Sequence, residues 1–318
     1  MATDLYQNSL SKIGHPIKQD GSKIQRLMQR IITLILLLAS FPSISNAQEY
    51  PIHIMEEGHI IIQVQLTDSI TGNFVLDTGA GVTVLSGKLF NKVSSQAKKK
   101  GYFTGFRHDG DRLDGEVYEI PALAVGAIQQ FRPVVGIYPP LDAMGIDGLL
   151  SLKFFEDKPF SIDFKNRSIA FIDNEQSLVL AKNNTALPLE LYQHTNVMLD
   201  IFIPITINDS TEVLAEFDTG SGYDAYIVHT GYLNDLNLNP TEGRPQTYET
   251  QLSREKREDV IHTVNSIAIG EGEGMVRLTD VAVIFREGLI YNALVGSGLF
   301  KNKIITIDIP NRTFIVHR

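Results

Sequence analysis

The sequence predicts a mostly β protein made of two homologous lobes related by a pseudo-twofold axis, with few short helices. The first observation behind this prediction is that Asp-Thr-Gly occurs twice, at residues 77–79 and 218–220, each time after an apolar, strand-like run. The second is that the sequence around the two triplets repeats. The third is the abundance of alternating, β-branched segments, which are typical of strands.

The internal repeat extends well beyond the two triplets. Residues 62–69 match residues 203–210 at an offset of 141, which is also the offset between the triplets. Residues 161–168 match residues 306–313 at an offset of 145. A period this long is far above the roughly 20–50 residues of solenoid repeats. Two copies of one fold, with small loop insertions between the matching segments, explain the pattern.

The elements of the first copy follow from local patterns. Residues 60–66 alternate and are rich in isoleucine and valine, which indicates a strand. Turn-forming residues at 68–73 precede a second strand, which begins at Phe74 and continues beyond the triplet. Ser86 is then placed to cap a short helix over residues 88–99.

The later segments predict further strands, and the second copy repeats the order of the first. Further strands are expected at residues 117–126, 130–137, 226–228, 260–270 and 277–285, with a cap near Thr230 and a short helix near residues 232–236. The polar stretch 173–185 is the expected junction, which gives an N-terminal lobe of residues 48–178 and a C-terminal lobe of residues 179–318.

Composition excludes several classes of function. The chain has 318 residues, a formal charge of −9 and no cysteine, so disulfides, thiolate metal sites and a cysteine nucleophile are ruled out. The eight histidines show no zinc-binding spacing and are expected at the surface or in the core, so neither a metal nor a cofactor is expected. The lysines at 98–100 are expected at a solvated helix end, and no basic footprint for nucleic acid is visible.

The N-terminal region carries the pattern of a secretory signal. An apolar run at residues 31–41 follows Arg26 and Arg30 and precedes small residues that end at Ala47. A run of this length is too short to span a bilayer, which needs about 20 residues. We therefore expect a signal peptide over residues 1–47, and residues 1–27 are expected to reflect a mis-assigned start codon. The alternative is that the apolar run forms a buried core helix. The mature protein is expected to be a monomer without a stable membrane anchor, located in the periplasm or outside the cell.

The two triplets and their surroundings resemble those of aspartic peptidases of the pepsin and retropepsin kind. Both halves also carry a later apolar segment before the final strands, Leu294-Val295-Gly296 in the second and Leu149-Leu150-Ser151 in the first, where serine replaces the usual glycine. The resemblance covers nearly all of residues 58–318 and implies two β-barrel lobes. The chain therefore resembles a compact, single-chain relative of these peptidases that is exported by a bacterium.

The resemblance implies a catalytic pair made of Asp77 and Asp218, which share one proton because two adjacent like charges cannot both ionise. The ionised carboxylate would activate a water that attacks a peptide carbonyl, while the protonated partner donates to the carbonyl oxygen. Support for the pair would come from Thr78 and Thr219, which would hydrogen-bond the opposite lobe, and from Gly79, Gly220 and Ser221.

The two glycines would permit close backbone approach to the carboxylates. The hydroxyl of Ser221 can donate to Asp218, whereas the equivalent Ala80 has no donor. Hydrogen bonding to a charged form stabilises that form. We therefore hypothesise that Asp218 is the ionised base more often than Asp77.

The family resemblance also places a substrate-covering hairpin, the flap, at residues 107–116. The Asp-Gly pairs in this stretch suit a hairpin turn. Asp109, Asp111 and Asp114 also suggest a calcium loop, but the ligand pattern and flanking helices of an EF-hand are missing, and a solvated tip is favoured. Tyr102 and Tyr118 are both candidates for the tyrosine that such flaps present to substrate.

Two alternatives to a peptidase stay open from the sequence. Either triplet alone also suits an Asx turn at a strand end, although two matched copies make that explanation weaker. A catalytically inactive β-protein of the cell envelope that binds peptides or glycans is the second alternative. The leading expectation is an aspartic endopeptidase whose partner is a peptide or protein substrate, with its sequence preference undetermined.

Overall fold

The computed structural model describes residues 48–194 and 198–318. The predicted signal segment 1–47 lies outside these residues, so its prediction is not tested. Within the described ranges, no helix is both long enough and apolar enough to cross a membrane. The described chain consists mainly of strands, with three α-helices and several short 3₁₀ turns.

Thirteen strands and two short helices form the first half of the described chain. The strands are β1 (Glu49–Pro51), β2 (His53–Ile54), β3 (Ile60–Thr67), β4 (Ile70–Leu76), β5 (Val84–Leu85), β6 (Lys98–Phe106), β7 (Arg112–Glu119), β8 (Ala122–Val125), β9 (Ile128–Phe131), β10 (Val134–Ile137), β11 (Gly148–Leu150), β12 (Phe160–Asp163) and β13 (Ser168–Phe171). The helices are α1 (Gly87–Val93) and α2 (Leu141–Met144).

A third helix, α3 (Asn174–Asn183), leads into the second half. That half contains β14 (Thr185–Pro188), β15 (Glu190–His194), β16 (Met198–Ile207), β17 (Thr211–Phe217), β18 (Tyr226–His229), β19 (Arg244–Glu249), β20 (Lys256–Ile269), β21 (Val276–Arg286), β22 (Ala293–Val295), β23 (Ile304–Asp308) and β24 (Thr313–Val316).

The two halves share one topology. In the first, β4 runs parallel to β11, β11 pairs antiparallel with β5, and β5 runs parallel to β10. In the second, β17, β22, β18 and β21 make the same three pairings in the same order and sense. Each set belongs to a larger curled sheet, of ten strands in the first half and eight in the second. The predicted fold class, mostly β with two homologous lobes, is confirmed.

A six-stranded sheet joins the two halves, with the order β1-β13-β12-β23-β24-β14. At its centre β12 and β23 pair antiparallel, and Ser161 lies opposite Thr306. Their hydroxyl oxygens are 2.6 Å apart, and the two residues are separated by 145 positions, the offset of the sequence repeat. The pseudo-twofold axis therefore passes between equivalent residues.

Alternating burial explains why these segments form strands. Along β3 the side chains of Ile60, Ile62, Val64 and Leu66 are buried, and the intervening residues are more exposed. This period of two is the pattern expected for a strand with one face against a core. Aromatic clusters such as Phe217, Phe300 and Phe314, whose ring centroids are 5.4 Å apart, fill the core beneath the sheets.

The helix predicted over residues 88–99 is shorter than expected. Ser86 caps it as predicted, since its hydroxyl accepts from the N–H of Leu89 at 3.2 Å. The helix ends at Val93, however, and the three lysines begin strand β6. The expectation that they end a helix is wrong, because Lys99 and Lys100 form ion pairs with glutamates of the adjacent strand β7.

The segment predicted to join the lobes is largely helical. Asp173 caps α3 in a reciprocal capping box with Gln176, which satisfies two backbone N–H groups at the helix start. The short helix predicted near residues 232–236 is instead a 3₁₀ turn at Thr230–Tyr232. Its cap is His229, whose Nδ1 accepts from the N–H of Gly231 at 3.0 Å.

Candidate active site

Asp77 and Asp218 stand at equivalent points of the two halves, each directly after a buried strand. The backbone N–H of Asp77 donates to the carbonyl of Leu150 at 3.0 Å, and that of Asp218 donates to Val295 at 2.9 Å. Each aspartate is thus fixed by the parallel strand beside it. Both side chains line a cavity of about 230 Å³ between the halves.

The two carboxyl groups face each other across the interface between the halves. A Cβ atom added to Gly79 would lie 2.6 Å from Cγ of Asp218, and one added to Gly220 would lie 2.4 Å from Cγ of Asp77. Real Cβ atoms do not approach other atoms this closely, so each turn needs glycine to seat the opposite carboxyl. The arrangement brings two residues 141 positions apart into direct proximity.

Thr78 and Thr219 tie the two turns together through reciprocal hydrogen bonds. The N–H of Thr78 donates to Oγ1 of Thr219 at 3.1 Å, and the N–H of Thr219 donates to Oγ1 of Thr78 at 2.9 Å. Each hydroxyl then donates to a carbonyl of the opposite half, Thr78 to Phe217 and Thr219 to Leu76. Both threonines are fully buried.

The two carboxyl groups differ in their hydrogen-bond partners. Asp218 accepts from the N–H of Gly220 at 2.8 Å and from the hydroxyl of Ser221. Asp77 accepts from the N–H of Gly79 at 3.1 Å. Burial, and then the charge and hydrogen bond of Asp218, raise the pKa of Asp77 well above its usual range. The hydroxyl donor that Ser221 provides to Asp218 has no counterpart beside Asp77, where the equivalent residue is Ala80.

Serine at position 151 is accommodated by a local partner. Ser151 is fully buried, its N–H donates to Oγ1 of Thr83 at 3.1 Å, and the two hydroxyl oxygens are also 3.1 Å apart. At the equivalent Gly296, an added Cβ would lie only 2.1 Å from the carbonyl oxygen of Gly222. The first half therefore provides a hydrogen-bond partner for the hydroxyl of Ser151, whereas the second half has no room for a side chain at Gly296.

The flap is present as a hairpin, and its tip is anchored to the second half. Strands β6 and β7 pair from Lys98 to Glu119. The carboxylate of Asp111 accepts from the N–H groups of Leu252, at 2.6 Å, and Ser253, at 3.1 Å. The N–H of Ile290 donates to the carbonyl of His108 at 3.0 Å.

The expectation of a solvated flap tip is wrong at two of its three aspartates. Asp109 and Asp111 are each only 4 % exposed, because the second half covers them. Asp114 lies in strand β7, is exposed, and pairs with Arg112. The carbonyl of Asp109 also accepts from Arg257. The tip therefore closes over the cavity as a bridge between the halves.

Neither tyrosine proposed for the flap lines the cavity. Tyr102 is 74 % exposed and accepts from Lys99, while Tyr118 donates to Glu116 at 2.6 Å. The flap instead presents Phe103 to the cavity, while Phe106, which also borders it, is 57 % exposed. Strand alternation explains the difference for Tyr102, since it lies next to Phe103 and points to the opposite face.

His108 is one of the site residues that sequence reasoning missed. Its Nδ1 is 3.2 Å from an Nη of Arg286, whose guanidinium forms two bonds with Asp259, of 3.0 and 2.6 Å, and lies over the ring of Tyr248. Burial, and then the charge of Arg286, lower the pKa of His108, which favours the neutral imidazole at the flap tip.

Two further acids and a tyrosine line the cavity beside Asp218, namely Asp200, Glu216 and Tyr291. Sequence reasoning missed all three. A signal for Glu216 was available, because it interrupts an apolar run two residues before Asp218 and must share its strand face. The remaining two are brought in from distant segments, and no local pattern marks them.

No metal site is evident in the described part of the chain, where no group of three or more His, Asp or Glu side chains is arranged to hold an ion.

Comparison with known proteins gives one family match. Residues 62–154 match the family model described as Aspartyl protease, which supports an aspartyl protease-like family. No curated protein sequence shows significant similarity to the chain.

Solved structures share the fold at low identity. A crystal structure of edgp superposes with a TM-score of 0.53 at 12 % identity, covering 85 % of this chain and 94 % of that one. A crystal structure of Basic 7S globulin from soybean gives a TM-score of 0.51 at 9 % identity, covering 86 % and 96 %. At these identities the likeness establishes the fold alone.

Proposed function

We propose that the protein is an aspartic endopeptidase that hydrolyses peptide bonds with a water activated between Asp77 and Asp218. The observation that carries this proposal is the reciprocal seating of the two carboxyl groups, each against the glycine of the opposite turn. The threonine bonds between the turns hold that geometry without placing either carboxyl in an ion pair. A purely structural Asx turn would need neither feature.

The two carboxyl groups have distinct roles in the proposed reaction. Asp218, which accepts from Ser221 and Gly220, acts as the base that takes a proton from the bound water. Asp77 carries the other proton and donates it to the oxygen of the scissile carbonyl. Asp218 is buried and Asp77 is partly buried, which strengthens these interactions because the local dielectric is low.

The cleft between the halves suits an extended peptide. The flap covers the cavity from one side and presents Phe103 to it. Its anchored tip would have to release from the second half, or leave enough room beneath it, for a peptide to enter. The substrate is therefore proposed to be an unfolded or flexible segment of a protein.

The chain is further proposed to act after export, in the periplasm or outside the cell, as a monomer. This part of the proposal is supported by the signal-like pattern of residues 1–47. Sequencing the N-terminus of the secreted protein would test it, and a mature form that begins at Gln48 is expected. Retention in the cytoplasm with residues 31–41 intact would contradict it.

Turnover of an unfolded protein substrate, measured from pH 3 to 8, tests the catalytic proposal. The wild type is compared with Asp77→Asn and Asp218→Asn, and with Asp235→Asn as a matched control at an exposed site. Loss of at least about a thousandfold in kcat/KM is expected for the two dyad variants and none for the control. Absence of cleavage in the wild type at every pH would favour the inactive binding protein instead.

A further inference from the structure

The walls of the cavity differ in character on the two sides of the dyad. On the side of the second half, Asp200, Glu216 and Tyr291 line it beside Asp218. On the side of the first half, below the flap tip with its Arg107 and His108, the lining includes an apolar cluster made of Val82, Val84, Phe103, Tyr138 and Leu149. An extended peptide that crosses the dyad would meet one wall on each side of its scissile bond.

The strand register places the acidic side chains on the face that carries Asp218. Glu216 lies two positions before Asp218, so the two side chains leave the backbone in the same direction. In the antiparallel pair of β16 and β17, Glu216 lies opposite Phe202, and Asp200 lies two residues from Phe202. Residues on this common face of the pair are neighbours.

Glu216 is the unusual member of this group. It is 2 % exposed, yet its Oε1 has no hydrogen-bond partner among the described residues. The other contact of the carboxyl group is with the hydroxyl of Tyr291, whose ring packs against Phe202 with centroids 5.3 Å apart. A buried acceptor without a donor is costly, so its presence in a folded protein calls for an explanation such as a ligand that supplies the donor.

We infer that Asp200 and Glu216 form a specificity subsite, here called the acidic subsite, which takes the cationic side chain of a substrate lysine or arginine next to the scissile bond. The inference rests on the proposed function, since it names the substrate class of the same cleft. An ammonium or guanidinium group brings donors to the free oxygen of Glu216 and a charge opposite to that of the carboxylates. The apolar wall would take an apolar side chain on the other side.

The raised pKa values of the two acids fit this assignment. Burial, and then the charges of Asp218, Asp200 and Asp77, raise the pKa of Glu216 well above its usual range. Burial, and then the charge of Asp218, raise the pKa of Asp200 to about 6. A bound cation reverses this balance, so Glu216 would release its carboxyl proton to solvent when a lysine side chain binds.

The basic residues that line the cavity do not pair with the acids of the acidic subsite. Arg107 and His108 of the flap line the same cavity. Within residues 48–194 and 198–318, no ion pair joins either of them to Asp200 or Glu216. The acids are also not arranged to hold a metal ion in this part of the chain.

Matched peptides test the inference. They differ only in carrying lysine, arginine, norleucine or glutamate at one of the positions that flank the scissile bond. The wild type is expected to give a kcat/KM at least about tenfold higher for lysine or arginine than for norleucine at one flanking position only. Glu216→Gln should reduce that lysine-to-norleucine ratio about tenfold, whereas Glu212→Gln, an exposed glutamate on the same strand, should leave it unchanged.

Binding measurements separate failure of this inference from failure of the catalytic proposal. Calorimetric titration of the same peptides into the Asp77→Asn variant, in buffers of different ionisation enthalpy, should show proton release for the lysine peptide and none for the norleucine peptide. If no peptide is cleaved but this preference is seen, the acidic subsite stands without the endopeptidase activity. Equal kcat/KM values, or equal affinities, for the lysine and norleucine peptides at both flanking positions would overturn the inference. A preference for lysine that persists in both Glu216→Gln and Asp200→Asn would overturn it as well.

Discussion

Thr78 and Thr219 accept each other's backbone N–H across the interface between the halves, at 3.1 and 2.9 Å, and are separated by 141 positions. Each threonine hydroxyl also donates to a carbonyl of the opposite half. Because both residues are buried, these four bonds are not weakened by competition with water. They couple the position of one Asp-Thr-Gly turn to that of the other.

Replacing Thr219 by valine should therefore destabilise the protein and disturb the dyad together. The variant leaves the N–H of Thr78 and the carbonyl of Leu76 without partners, at an expected cost of about 2–6 kcal/mol in the free energy of unfolding. Urea denaturation measures this loss. Thr219→Ser keeps the hydroxyl and should cost no more than about 1 kcal/mol. Equal stability of the valine and serine variants would contradict the coupling.

The hydroxyl of Ser221 should set the acidic limb of the pH–activity profile. Ser221 donates to Asp218, which stabilises the ionised form of the base. Ser221→Ala is expected to move the acidic limb of kcat/KM upward by about 0.5–1 pH unit. Ala80→Ser, at the equivalent position beside Asp77, should instead lower the alkaline limb. An acidic limb that does not move in Ser221→Ala would show that Asp218 is not the base.

Asp111 should hold the flap tip closed. Its carboxylate binds two backbone N–H groups of the opposite half, so Asp111→Asn should weaken both bonds. We expect the amides of Leu252 and Ser253 to exchange with deuterium about tenfold faster in this variant. Asp114→Asn, an exposed change in the same hairpin, is the control. Unchanged exchange in Asp111→Asn would mean that other contacts hold the tip.

Asp200 should make the folded state less stable as the pH rises. Its pKa is raised to about 6 by burial and by the charge of Asp218, whereas an unfolded chain has a value of about 3.9. The folded state therefore binds the proton more tightly, and stability falls between about pH 4 and pH 6, by up to about 3 kcal/mol from this group. Asp200→Asn cannot ionise and should lose less stability over this range.

Unfolding free energies measured at pH 4 and pH 7 check this expectation. Between pH 4 and pH 7 the unfolding free energy of Asp200→Asn should fall less than that of the wild type. The unfolding free energy of Asp235→Asn, at an exposed site, should fall as much as that of the wild type. A parallel fall in all three proteins would exclude Asp200 as the cause.

The sequence predicted the fold and the proximity of Asp77 and Asp218 because both follow from an internal repeat. The offset that relates residues 62–69 to 203–210 also relates the two triplets, and the two copies fold with the same topology. The fold prediction therefore needed only local patterns and one symmetry.

The features that were missed depend on contacts between distant segments. The burial of Asp111 is due to the loop at Leu252, which no local pattern in the flap indicates. The lysines at 98–100 predict a helix end because lysine also suits that position. Strand β6 is an edge strand of its sheet, and exposed edges favour lysine for a different reason, since charge discourages pairing with other chains.

The central pairing of the six-stranded sheet bears on how such a chain could arise. Each half contributes three strands, and Ser161 meets its equivalent, Thr306, across an antiparallel contact. Equivalent segments that meet in this way form an isologous interface, the kind found between identical subunits. One half expressed alone would present an edge complementary to its own twin, so gene duplication and fusion of an ancestral homodimer would yield this architecture directly.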